Sequence, residues 1–418
     1  MRSIQPAERR FPALASRPFR FILGSFAVST FGDWLYNIVL LAWIYERTGS
    51  GSWVAAASVA RILPVILFSI VAGDLVDRFD RRKVMIVSDI ARAATMFGLA
   101  VVASLSGSPF LAVVLVFVSA SLGTAFLPAV DSMLPSLVDP AQLPSANAGV
   151  TIVQYLSLAA GPAVGGLLAL LGSSELVFGI NAITFLISAL LIAALPSSRA
   201  EHEGTIESPV RRVKEGVRAI RSSVRITALV VCLPLTSFIP GAAYVLLVLL
   251  ADRRLGLDPE GATFLYAAIG VGAIVTSWFS DRLTTAGPPW VALIITNSVM
   301  GLSFAILGLA EHLPIAYLFC AAIGASTLVG DVIAFTLLQK AVPDRFLGRV
   351  FGVVNALLYL GMAAGSVVAP FLEQWLGLGT AFAIIGICTA ASIAGLSLLL
   401  RGWDMTVGAG PRVEEYVG

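Results

Sequence analysis

Asp33, Arg61, Asp89, Arg92 and Asp331 are ionisable residues set inside long apolar runs of a 418-residue chain. Charge away from water is expensive, so such residues persist where they carry a proton, an ion or a pairing role. The chemistry open to a buried aspartate is reversible proton uptake, with a nearby cation altering its proton affinity as the surroundings move. Asp33 is the first choice for this carrier and Arg61 the cation that would modulate it; Asp331 and Asp89 are further candidates. Asp89 and Arg92 are three apart and share a helix face, which suits a structural ion pair. Other chemistries lack their residues: histidines do not cluster, and there is no phosphate-cradling Gly-x-x-x-x-Gly-Lys loop and no serine elbow. Cys232, Cys320 and Cys388 stand singly. Neither an enzyme, a metal site, a cofactor nor a disulfide is expected.

The elements that hold these residues follow from composition. The chain is 58% hydrophobic and 12% charged, against about 25% charged in a soluble domain. A helix needs about 20 apolar residues to cross a bilayer, and that ruler gives twelve segments: 20–45, 52–72, 84–105, 110–131, 147–171, 176–195, 226–250, 262–280, 290–310, 314–338, 348–372 and 378–400. The fold expected is an all-α integral membrane protein. Asp33 then lies about 20 Å into the first span at 1.5 Å per residue, near or beyond the midplane. The longest interruption, 196–225, carries "VRRVKEGVRAIRSSVR", a basic stretch with apolar residues at helical spacing. Domains are expected at 1–195 and 226–400, six spans each, around this loop, with a tail at 401–418.

Lysine and arginine set the orientation. With the N-terminus inside, inner segments hold Arg2, Arg9, Arg10, Arg78, Arg81, Arg82, Lys83, the central-loop cluster, Lys340 and Arg349, whereas outer loops hold only Arg47, Arg253 and Arg254. Both termini and the central loop are expected in the cytoplasm. The net charge of +2 is too small to point to nucleic acid.

The halves also repeat. "LVDRFDRRK" and "WFSDRLT" place Asp77 and Asp281 204 residues apart, and "QYLSLAAGPAVGG" and "LYLGMAAGSVVAP" place Gly161 and Gly365 at that same separation. A parallel duplication of six spans gives two pseudo-symmetric six-helix halves, the plan of a transporter with a cavity between them.

Gly73, Leu75, Asp77, Arg78, Arg81 and Arg82 resemble the loop signature of the major facilitator superfamily, Gly-x-Leu-x-Asp-Arg-x-Gly-Arg-Arg/Lys, between its second and third spans. Asp80 stands where that pattern prefers glycine, so this turn must form without easy access to positive φ. Gly161, Pro162, Gly165 and Gly166 resemble the antiporter signature of the fifth span in proton-coupled exporters. "FGDWLYNIVLLAWIYERTGS", "DIARA" and "PDRFLGRVFG" resemble the branch with macrolide efflux pumps and the enterobactin exporter.

The resemblance implies a cytoplasmic gate made of Gly73, Asp77, Arg78, Arg81, Arg82, Asp131 and Gly348. Asp77 would meet the N-terminus of the eleventh helix near Gly348, where free N–H groups favour an anion. Arg81 or Arg82 would pair with Asp131, while Arg78 and Lys83 read as topogenic anchors. Tyr36, Asn37, Tyr155, Phe238, Tyr244, Asn297 and Asn355 are the candidates for lining a cavity that accepts an amphipathic molecule. The function expected is proton-coupled antiport exporting a hydrophobic or amphipathic small molecule (a drug, an antibiotic, a siderophore-like or other secondary metabolite) from a bacterial inner membrane. Its partners would be that substrate, protons and the lipid bilayer, and the chain would act as a monomer. Proton-linked uptake of a nutrient is the alternative, followed by a scaffold or receptor that transports nothing.

Overall fold

The structure, a computed structural model, describes residues 12–198, 209–279 and 288–401. Arg2, Arg9 and Arg10, the Asp281–Arg282 match and the tail from residue 402 lie outside the described residues.

Among those residues the chain forms helices and no strand. Long apolar runs are confined to helix because a lipid-embedded backbone must satisfy its own N–H and C=O groups. The elements are α1 (Arg17–Thr48), α2 (Gly51–Arg78), α3 (Arg81–Ser104), α4 (Pro109–Gly123), α5 (Phe126–Leu137), α6 (Leu143–Leu171) and α7 (Ser174–Ala193). They continue with α8 (Pro209–Arg221), α9 (Val224–Arg253), α10 (Ala262–Ser277), α11 (Pro289–Leu307), α12 (Leu313–Ala341), α13 (Asp344–Leu376) and α14 (Leu378–Leu398). Among the described residues twelve stretches are long and apolar enough to span a bilayer, with α4 and α5 together making the fourth. That span reaches Leu137, beyond the limit expected at residue 131, and is interrupted after Gly123. The basic interruption in the middle of the chain does form a short helix, α8.

The chain packs as two compact units: 1–37 with 67–203, and 38–66 with 204–418. The boundary cuts through α1 and α2, so packing and duplication divide the chain at different places. The first unit is built around Phe19, Ile22, Met85, Val130, Met133 and Ile192. Ile226, Leu229, Leu293, Leu337, Leu338 and Val350 are at the centre of a core in the second.

Each unit contains the same close helix approach. In the first, a Cβ on Gly161 of α6 would lie 2.5 Å from the Trp34 Cβ of α1, and one on Gly165 would strike the Leu35 carbonyl oxygen. In the second, a Cβ on Gly365 of α13 would strike the Phe238 carbonyl oxygen of α9. Trp34 and Phe238 are 204 residues apart, as are Gly161 and Gly365. Both partners in the contact are thus related by the repeat. Glycine is needed here because only a bare Cα lets two helix backbones come this close.

Candidate functional site

Arg92 is the centre of the polar cluster in the first unit. Its Nη2 lies 2.6 Å from both carboxylate oxygens of Asp33, and its Nη1 is 3.3 Å from the Ser29 hydroxyl and 3.5 Å from Asp89. Four helices build the seat. α1 brings Ser29 and Asp33, α3 brings Asp89 and Arg92, and α7 supplies Phe185, whose ring centroid is 3.9 Å from the guanidinium carbon. α4 ends at Gly123, where an added Cβ would sit 3.1 Å from the Arg92 Nε. Small volume on one side and an aromatic face on the other thus hold the guanidinium flat. The two acids differ: the Asp33 side chain is 35% exposed and that of Asp89 is fully buried. The charge-assisted contact to Asp33, at 2.6 Å against 3.5 Å for Asp89, is the closer of the two pairs. The sequence reading offered Arg61 as the cation for Asp33. The structure gives that place to Arg92, because Arg92 projects from the neighbouring α3 at the level of Asp33.

The signature loop makes its contacts with backbone more than with acids. Arg81 donates to the Ser132 carbonyl at 3.0 Å, and Arg82 donates to the carbonyl of Ala193. Neither pairs with Asp131, which is exposed on α5. Ala193 closes α7, where carbonyls lack helical donors and the dipole is negative, a natural seat for a cation. Arg78 binds Asp74 one turn back at 2.8 Å, an exposed pair. Gly73 is half-buried with nothing near its missing Cβ, and Asp77 and Gly348 are both exposed.

Asp80 resolves the departure from the glycine pattern. Its φ is −59°, so the turn requires no left-handed residue. Its carboxylate caps α3 by accepting from the Arg82 N–H at 3.0 Å, from the Ser197 hydroxyl at 2.6 Å and from the Ser198 N–H at 3.4 Å. The Arg81 N–H donates to the Ser198 carbonyl at 3.0 Å. The loop is therefore clasped to the segment that follows α7. Burial alone would raise the Asp80 carboxyl, but the hydrogen bonds from Ser197, Ser198 and the α3 N-terminus outweigh it and hold the group below its ordinary value.

In the second unit Arg61 stands 6.0 Å from the Tyr244 ring centroid. Tyr244 stacks on Tyr266 at 5.4 Å with 14° between the planes. Tyr266 escaped the sequence reading, since nothing in "FLYAAIG" marks which helix face meets Tyr244. Asp331 is half-buried on α12, and among the described residues no hydrogen bond or ion pair reaches it. Tyr36, Asn37, Tyr244 and Asn297 are buried, Tyr155 and Phe238 half-buried and Asn355 exposed. The Asn297 amide donates to the Leu293 carbonyl of its own helix at 2.8 Å.

A further cluster joins three helix ends. The Tyr45 hydroxyl of α1 donates to Asp252 at 3.2 Å and accepts from the Arg253 Nε at 3.1 Å, and Arg253 pairs with Glu373 of α13. On α8, Glu215 bridges Arg211 at 2.9 Å and Arg349 of α13. Arg211, Arg349 and Arg218 hold the Glu215 carboxyl below its ordinary value, the Arg211 hydrogen bond acting most strongly and burial opposing it. Among the described residues no group of three or more His, Cys, Asp or Glu side chains is placed to hold a metal ion.

The chain is 27% identical to macrolide efflux protein A of Streptococcus pyogenes over 378 residues, 87% of this chain and 92% of that one. It is also 27% identical to the multidrug efflux pump Tap of Mycobacterium tuberculosis over 387 residues, 89% of this chain and 91% of the relative. The fold is similar to the crystal structure of a D-xylose–proton symporter, with a TM-score of 0.74 at 14% identity, covering 95% of this chain and 99% of that one. The family model of the Major Facilitator Superfamily matches residues 22–366. With that match over most of the length, and with the signature loop and duplicated six-span plan in place, the chain belongs to the Major Facilitator Superfamily and is a multi-pass membrane transporter, not an enzyme.

Proposed function

We propose that the chain is a proton-coupled antiporter that exports a hydrophobic or amphipathic small molecule by alternating access. The observation that carries the reading is the sharing of Arg92 by Asp33 and Asp89. Two acids and one guanidinium leave one carboxylate charge in excess when both acids are ionised, and a single proton cancels it. Within a bilayer that change of charge is costly or favourable according to water access, which differs between conformations. Asp33 has the solvent exposure to exchange the proton, and Asp89 lies next to it in the shared field of Arg92. Export rather than uptake is supported by the efflux functions named for the two relatives. The excess of lysine and arginine in alternate loops supports an inner-membrane location with both termini cytoplasmic.

The test uses inverted membrane vesicles and a panel of neutral, cationic and anionic fluorescent dyes. A proton gradient is expected to drive accumulation of at least one dye, and its collapse to release it. Asp33→Asn is expected to abolish the gradient dependence while preserving dye binding. Full gradient-driven transport by both Asp33→Asn and Asp89→Asn would remove the cluster from coupling, and transport indifferent to the gradient would end the antiport reading.

A further inference from the structure

Four helices of the second unit bring one cation and three phenols together. Arg61 comes from α2, Tyr244 from α9, Tyr266 from α10 and Tyr359 from α13. Arg61 faces the Tyr244 ring at 6.0 Å, Tyr244 stacks on Tyr266, and Tyr359 lies within the electrostatic reach of the guanidinium. Tyr244 and Tyr266 are buried, whereas Arg61 and Tyr359 are half-buried.

The composition of this cluster sets what it will accept. Arginine stays charged in any protein environment and presents its N–H groups in a flat fork that fits a carboxylate or similar anion at two points. Holding such a group in the middle of an apolar span is expensive, which makes a purely packing role a poor use of it. A cation–π anchor needs one ring, but three tyrosines converge here. Their rings offer flat faces for stacking, and the hydroxyls of Tyr244 and Tyr359 offer donors to an anion, that of Tyr266 being given to the Pro240 carbonyl at 3.5 Å. The near-parallel Tyr244–Tyr266 pair already shows the stacking direction. A cationic ligand would meet Arg61 as a like charge, an unfavourable pairing.

We propose that Arg61, Tyr244, Tyr266 and Tyr359 form an anion-accepting aromatic subsite, so that the molecules this transporter handles include flat-ring compounds bearing a carboxylate or comparable monoanion. The inference rests on the transporter reading for its physiological meaning but not for its test. Arg61 is thereby a recognition residue, distinct from the proton cluster around Arg92.

The experiment measures binding to the purified full chain in lipid nanodiscs, with no gradient present. The probes are 2-naphthoate and 2-naphthylmethylammonium, which share a ring system and differ in charge. The wild type is expected to favour the naphthoate by at least about tenfold, the discrimination of one charge-assisted contact. Arg61→Gln is expected to erase the preference by weakening the anion alone, Arg61→Lys to retain part of it, and Tyr359→Phe to weaken the anion modestly without helping the cation. Equal binding, a preference for the ammonium, or failure of both probes to bind overturns the subsite, as does an Arg61→Gln protein that keeps the preference. Should Arg61→Gln fail to fold, the wild-type preference and the Arg61→Lys and Tyr359→Phe series decide the matter. Loss of the naphthoate preference with gradient-driven dye export intact removes only the subsite. Intact preference without export removes only the transport direction and coupling.

Discussion

The Asp80 carboxylate accepts a hydrogen bond from the Ser197 hydroxyl at 2.6 Å while capping α3 through the Arg82 N–H. One side chain in the signature loop thus organises a helix start and fastens the segment that leaves α7. Asp80→Ala removes the cap and leaves Ser197 and Ser198 without their acceptor. The expected loss is about 1 kcal/mol from the cap, with the broken clasp adding to it, read as a lower apparent melting temperature in detergent. An unchanged melting temperature would show that the clasp contributes nothing to stability.

The same carboxylate makes a pH prediction. Because the folded state holds Asp80 below its ordinary value, its contribution is present above the unfolded-state value near about 4 and is lost as pH falls through the folded value. The difference in melting temperature between wild type and Asp80→Ala should therefore be full at neutral pH and shrink under acid conditions below about pH 4. A difference that grows on acidification would contradict the sign.

Arg92 carries the next prediction. Arg92→Gln leaves the buried Asp89 and the neighbouring Asp33 without their cation, a change of the kind that destabilises by about 3–5 kcal/mol. Yield and melting temperature should fall sharply. The double variant Arg92→Gln with Asp89→Asn should recover much of the loss, since it removes the stranded charge, and the two effects should be strongly non-additive. Simple addition of the single effects would separate the residues energetically.

Glycine positions divide by what surrounds them. Gly165→Val and Gly365→Val drive side chains into the Leu35 and Phe238 carbonyls and should abolish folded protein. Gly73→Ala meets nothing within 4 Å and should leave expression normal, with helix propensity improved by about 0.5–1 kcal/mol. Size-exclusion profiles of a fluorescent fusion check all three.

Asp77→Asn tests the signature loop's role in transport. Asp77 is exposed on α2, so neutralising it should leave expression and melting temperature near the wild-type values. Transport in vesicles should nonetheless fall, because a topology signal built on lysine and arginine requires no acid at this position. Normal transport by a normally expressed variant would assign Asp77 no part in the transport cycle.

The twelve spans, the central basic helix and the family loop were legible along the chain. Each is a local property: about 20 apolar residues must become helix in lipid, and Gly73, Asp77, Arg78, Arg81 and Arg82 are read by their spacing. Even the duplication was visible at Asp77 and Gly161, and the structure extends it to the Gly161–Trp34 and Gly365–Phe238 contacts. The partner of Asp33 was not legible. Position along a helix determines depth at 1.5 Å per residue, but which neighbour a side chain faces depends on how the helices are rotated and packed. That rotation comes from contacts distant in sequence: Gly161 and Gly165 bring α6 onto α1 beside Asp33, and Gly123 and Phe185 shape the slot for Arg92. For the same reason Asp80 read as an irregularity in a motif until Ser197 and Ser198 stood beside it, and Tyr266 was one aromatic among many until Tyr244 lay against its ring.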